Sequence, residues 1–174
     1  MSEKILEIRN LHVTFETPSG PLEAVRGVDL DVSAGELLGV VGESGSGKSV
    51  TFLATMGLLP TRAKVTGSVL LAGEQLIGAS PKQLQSVRGR LLSMIFQDPL
   101  SALNPVHRIG NQIAEMLQSH QALTNREAQT RAVELLDIVG IPQPNDRSQQ
   151  FPHEFSGGMR QRVVIAIAIA NNPK

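Results

Sequence analysis

The sequence predicts an α/β fold, and three observations carry that prediction. Apolar residues alternate with polar ones between Ile5 and Val32. A continuous apolar run, Leu37-Leu38-Gly39-Val40-Val41, leads directly into a Gly/Ser-rich loop. From about residue 99 the apolar residues recur at helical spacing instead.

Ile5, Leu6, Ile8, Leu11, Val13 and Phe15, then Val25, Val28, Leu30 and Val32, read as strands joined by the turn Thr17-Pro18-Ser19-Gly20-Pro21. The run Leu37–Val41 reads as a strand buried on both faces. The loop after it opens a helix from Lys48 to about Leu59, where Pro60 stops it. Val65–Leu71 reads as a further strand and Leu91–Phe96 as a second buried one. Arg108–His120 places Ile109, Ile113, Met116 and Leu117 on one helical face. Thr124-Asn125-Arg126-Glu127 is a capping-box pattern, and Leu135, Leu136 and Val139 continue that helix to Gly140. Pro142–Gln150, rich in Pro, Gln and Asn, reads as a linker. Val163–Ala170 alternates Ile with Ala, which by period alone argues strand; Ser156 as a cap, the Gly pair after it, Arg160 and Arg162 argue helix.

Composition excludes several function classes. The chain has 174 residues, with 16 Lys+Arg against 16 Asp+Glu, enough length for one domain and no excess charge for a nucleic-acid face. The charge is uneven: residues 1–36 hold 3 basic and 7 acidic side chains, and residues 37–174 hold 13 and 9. No Trp or Tyr and only 5 Phe leave little for stacking single strands. With no Cys, disulfides, thiolate metal sites and thiol nucleophiles are absent, which suits a cytoplasmic protein. His12, His107, His120 and His153 are scattered and predict no metal cluster. The start, MSEKILEIRN, has no apolar signal region. The longest apolar run, Val163–Ala170, has 8 residues where a membrane span needs about 20.

Gly42-Glu43-Ser44-Gly45-Ser46-Gly47-Lys48-Ser49 matches the phosphate-loop pattern G-x-x-x-x-G-K-[ST] between an apolar strand and a helix. Glycines let successive N–H groups turn inward around an anion, and the helix N-terminus adds the positive end of its dipole. Lys48 supplies a point charge to the β- and γ-phosphates, and the Ser49 hydroxyl is suited to Mg²⁺. Nucleotide binding follows.

Two further segments appear in order after that loop, Phe96-Gln97-Asp98-Pro99 and Phe155-Ser156-Gly157-Gly158-Met159-Arg160-Gln161-Arg162. With the phosphate loop they resemble the ATPase domain of ABC transporters. Met56–Pro60, Phe96–Pro105 and Phe151–Met159 are similar to the ATPase subunits of oligopeptide, dipeptide and nickel importers. The resemblance implies a P-loop NTPase core with an N-terminal antiparallel β-subdomain, residues 1–98 carrying this and the phosphate loop. A helical subdomain is implied over 99–162, and a helix returning to the core over 163–174.

The cofactors implied are ATP and Mg²⁺. Gln97 would lie in the Q-loop, near Mg²⁺ and the attacking water. Ser156, Gly157, Gly158 and Met159 would form the signature that meets the ATP of a partner subunit. Phe15 stands where the family stacks an aromatic ring on adenine, and a core residue at the end of an alternating strand is the equal alternative. Phe155 and Met159 depart from the general Leu-Ser-Gly-Gly-Gln form, but neither supplies the phosphate-facing groups. The partners implied are a second ATPase subunit, head to tail, two permease subunits and, indirectly, a solute-binding protein, with no nucleic acid. The place implied is the cytoplasmic face of the cell membrane.

In the family a strand ending in Asp (Walker B), a catalytic Glu and a switch His follow the signature helix, whereas this sequence stops at Asn171-Asn172-Pro173-Lys174. No catalytic residue for hydrolysis is therefore expected within it. Asp98 after an apolar run fits the Q-loop better than Walker B, Asp137 fits a solvated helix face, and Glu43 a solvated loop position. Part of the core sheet is expected to be missing, leaving apolar strand edges that favour association. Two other readings are a nucleotide-binding chain without turnover and a soluble ABC ATPase acting on ribosomes or DNA. The latter carries a second cassette, long linkers or coiled-coil insertions, none of which is seen.

Overall fold

A computed structural model describes residues 3–99 and 101–174. The chain forms two compact units with the break after Gln85, Lys174 grouping with the first.

In the first unit, strands β1 (Lys4–Thr17), β2 (Gly20–Ser33), β3 (Ala63–Leu71) and β4 (Glu74–Gln75) make an antiparallel sheet in the order β2-β1-β3-β4. The alternation in β1 buries Leu6, Ile8, Leu11 and Val13 against Val25, Val69 and Leu71. The inward positions change phase between Ile8 and Leu11. Asn10 absorbs that change, with φ 46° and a register shift against both neighbouring strands. Its backbone N–H donates to the Asp29 carboxylate at 2.9 Å.

Helix α1 (Lys48–Thr55) is four residues shorter than the pattern predicts. The Leu58 N–H donates to the Leu53 carbonyl at 2.9 Å and the Gly57 N–H to Ala54 at 3.0 Å, a Schellman closure well before Pro60.

Leu37–Val41 is not a strand, and Leu37 and Val41 are 99% and 93% exposed. Leu91–Phe96 is likewise irregular, with one parallel bridge between Arg88 and Leu92, and Ile95 and Phe96 exposed. The reason is the ladder. Apolar runs become buried parallel strands only beside partner strands, and among the described residues none pairs with 37–41.

The second unit is helical: α2 (Pro81–Val87) ends just inside it, followed by α3 (Ile109–Gln118), α4 (Asn125–Ile138), α5 (Pro144–Ser148) and α6 (Gly157–Ile169). Ile109, Ile113 and Leu117 of α3 pack with Leu135 and Leu136 of α4 and Val163 of α6. The predicted linker Pro142–Gln150 instead contains α5. Pro144 starts this helix where a missing N–H costs nothing, Ser148 is buried, and the Gln150 carbonyl accepts from the Ile109 N–H at 2.9 Å. The Ile/Ala segment is helical. Val163, Val164, Ala166 and Ala168 are buried and the intervening isoleucines half-buried. A helix enclosed on most sides leaves no apolar stripe for periodicity to report.

The α4 capping box forms as its sequence predicts: Thr124 Oγ1 accepts from the Glu127 N–H at 3.3 Å, and Glu127 Oε2 accepts from the Thr124 N–H at 2.8 Å. Thr124→Ala is expected to cost about 1 kcal/mol in chemical denaturation. The Thr124 hydroxyl and N–H hold the Glu127 carboxyl below the usual Glu range. Arg9 and Lys4, 2.5 and 2.9 Å from the carboxylate oxygens of Asp31, lower Asp31 in the same way. A lowered folded-state pKa means stability present above the ordinary carboxylate value and lost as pH falls through the lowered one. Glu127→Gln should therefore flatten the acid limb of a plot of Tm against pH, leaving the limb above neutrality unchanged.

Candidate nucleotide site

The phosphate loop sits between the exposed run Leu37–Val41 and the head of α1. The sequence places Gly47 at the helix N-cap, and its φ of 90° is one that L side chains rarely adopt. A Cβ there would lie 2.6 Å from the Ala24 carbonyl oxygen of β2, so the loop is pressed onto the strand. Among the described residues, no backbone carbonyl accepts from the N–H groups of Gly45, Gly47, Lys48 or Ser49. These donors belong to the positive end of α1.

Lys48 folds back over the loop. Its Nζ donates to the carbonyls of Gly42 and Glu43 at 2.6 and 2.7 Å and to Ser46 Oγ at 3.1 Å. The ammonium is thus held at the centre of the loop by its own oxygens. The residues fit a phosphate group: unpaired N–H donors, one cation, and glycine positions that side chains would fill. Ser49, exposed in the first turn of α1, has the hydroxyl suited to Mg²⁺, whose charge would offset that of the phosphate oxygens. Glu43 and Ser44 are exposed. A groove of about 320 Å³ borders the loop, lined by Glu23, Ala24, Val25 and Arg26 of β2 and by Gly45 and Ser46. Nothing in the sequence pattern signals that the β2 backbone forms this wall.

Phe15 lies in the same unit, half-buried and paired across the sheet with Leu22 and Ala63. Gln97 and the signature belong to the other unit. Gln97 and Asp98 are exposed on an irregular segment, and Leu100 of the Phe96–Pro105 stretch lies outside the described residues.

Ser156 caps α6, its Oγ accepting from the Met159 N–H at 3.3 Å, and Ser156, Gly157 and Gly158 are all exposed. Phe155 is buried, with the Arg147 guanidinium 5.9 Å from its ring centroid. The departure from Leu at this position is therefore an anchor in the helical core. Asp137 is exposed on α4, as its helix position predicts, and no group of three or more His, Cys, Asp or Glu among the described residues could hold a metal ion.

A glycine-shaped loop with a centred lysine at a helix N-terminus, on an α/β chain, defines a nucleotide-binding protein. The profile of the ABC transporter family matches residues 25–174, and the chain belongs to that family. It is 51% identical over 98% of its length to the oligopeptide transport ATP-binding protein OppD of Bacillus subtilis, of which it covers 48%. It is 49% identical over 98% to the dipeptide transport ATP-binding protein DppD of the same organism, covering 52%. The chain thus spans about half the length of these relatives. Among solved structures, a dimeric ATP-binding cassette in a post-hydrolysis state with ADP and phosphate matches with TM-score 0.83 and 26% identity, over 97% of this chain and 70% of the other. Among the described residues no helix is long and apolar enough to cross a membrane.

Proposed function

We propose that this chain is the nucleotide-binding part of an ATP-driven importer for peptides or related small solutes. The observation that carries the nucleotide half is the Lys48 cradle, in which one ammonium is centred among loop oxygens beside the unpaired N–H groups at the head of α1. The cargo class rests on the relatives, about half identical over nearly the whole chain, whose names specify oligopeptide and dipeptide transport.

In this reading Gly42–Ser49 holds ATP, with the amides and Lys48 on the phosphates and Ser49 and Gln97 toward Mg²⁺. Phe15 offers a ring face to the adenine. Ser156, Gly157, Gly158 and Met159 meet the nucleotide of a second subunit arranged head to tail. ATP-driven closure of that pair acts on two permease subunits fed by a solute-binding protein, which places the chain on the cytoplasmic face of the membrane. The water-activating groups belong to the part of the family pattern that follows the signature helix.

Uptake of a radiolabelled tri- or tetrapeptide tests this. Cells in which the gene is disrupted should lose uptake, and the gene restored in trans should return it. Undiminished uptake of peptides, with loss of nickel uptake instead, would overturn the peptide assignment.

A further inference from the structure

We propose that Arg160 is a positioning residue that aims the signature segment, an inference that rests on the signature reading above. Ser156, Gly157 and Gly158 are exposed, and the space where a Cβ of either glycine would stand is empty to 4 Å. The side-chain positions of the two glycines touch nothing, so the direction of the segment is that of the capped start of α6 and of the turn before it. Its orientation has to come from the residues on either side.

On the N-terminal side Phe155 is buried in the helical core. Just before it, residues 152–154 form a 3-10 turn closed by Glu154, whose Oε2 accepts from the Phe151 N–H at 2.7 Å. On the C-terminal side Arg160 stands one helical turn after Ser156, and its own N–H donates to the Ser156 carbonyl at 2.9 Å. Its side chain reaches back across the cap. Nε donates to the Pro152 carbonyl at 2.8 Å and Nη2 to the His153 carbonyl at 3.4 Å. The guanidinium thus closes the chain from 152 to 160 into a loop with Ser156–Gly158 at its apex. Among the described residues no carboxylate forms an ion pair with Arg160, so its planar fork is committed to these two carbonyls. Lysine gathers its donors on one atom at the end of the stem and has none at the position of Nε, so it cannot reproduce this side-on contact to both carbonyls.

The test uses the intact gene product with the β,γ-imido analogue of ATP and Mg²⁺. Equilibrium binding to the subunit's own loop is measured by fluorescence, and nucleotide-dependent self-association by sedimentation velocity. Arg160→Gln is expected to leave own-loop affinity and Tm near wild type while weakening association about tenfold or more, the size of one hydrogen bond to the partner's charged nucleotide. Arg160→Lys is expected to lose most of the association as well. Wild-type association in Arg160→Lys would show that charge, not aim, matters, and would overturn the proposal. So would unchanged association in Arg160→Gln, or an equal loss of own-loop binding. Ser156→Arg is the control for the reading beneath: if it leaves association intact, the signature assignment itself fails and takes this inference with it. If Ser156→Arg abolishes association while Arg160→Gln does not, only the role of Arg160 is lost.

Discussion

Replacing Lys48 by alanine is expected to weaken Mg·ATP binding by about a hundredfold or more, measured by equilibrium titration with a fluorescent ATP analogue. The size follows from the contacts. Nζ is 2.6–3.1 Å from three loop oxygens, which centres its charge where a phosphate enters the ring of N–H groups. On binding, the ammonium exchanges two of those neutral acceptors for anionic oxygens of the β- and γ-phosphates. Charge-assisted bonds contribute about 1.5–3 kcal/mol each, so the loss of two such bonds gives at least that hundredfold. Stability is expected to change little, within about 0.5 kcal/mol, because water replaces the ammonium at oxygens that lie at the surface. Lys48→Arg should also bind poorly, since a planar fork does not fit a cradle shaped around a point charge. Wild-type affinity in Lys48→Ala would move the nucleotide site away from this loop.

Gly67→Ala is expected to destabilise the first unit by about 3–5 kcal/mol, one of the largest effects available to a single methyl group. Gly67 has φ 104°, and a Cβ would stand 2.4 and 2.7 Å from the carbonyl oxygens of Asn10 and Arg9. Those atoms belong to the backbone of the bulge in β1 and cannot rotate away. Gly35, with φ 73° and nothing within 4 Å, separates the two contributions. Gly35→Ala carries backbone strain alone, about 1–2 kcal/mol. In thermal melts followed by circular dichroism, Gly67→Ala should lower Tm by about 10 °C or more and Gly35→Ala by a few degrees. Equal shifts in the two variants would mean that the bulge yields and that the close approach costs nothing.

These two positions differ in how far they can be read without coordinates. Lys48 belongs to a local device, in which apolar run, glycine loop and helix start lie within about a dozen residues, so the spacing itself encodes the chemistry. The same holds for the capping box at Thr124 and Glu127 and for Ser156, whose bonds span three residues. Gly67 has no such signature, because its neighbours at Arg9 and Asn10 are almost sixty residues away along the chain. The β2 wall beside the phosphate loop, about twenty residues before it in the chain, was hidden for the same reason.

The apolar runs Leu37–Val41 and Leu91–Phe96 show the limit from the other side. Their composition encodes a strand that wants burial on both faces, yet a strand exists only when another supplies its hydrogen bonds, and among the described residues no ladder reaches 37–41. The Ile/Ala segment shows it again: alternation suits a pleated strand, but a capped start and enclosure by helices make it α6.

Local chemistry was therefore written in residue order: the phosphate loop, its lysine, the helix caps, the amphipathic α3 and the family these motifs belong to. Folding in three dimensions settled which apolar runs found partners, where helices closed early, and how Arg160 is tied back to the turn before the signature. The division is physical. Hydrogen bonds within a turn or two are specified by neighbours in the chain, whereas burial, strand pairing and close backbone approach depend on atoms that only the fold brings near.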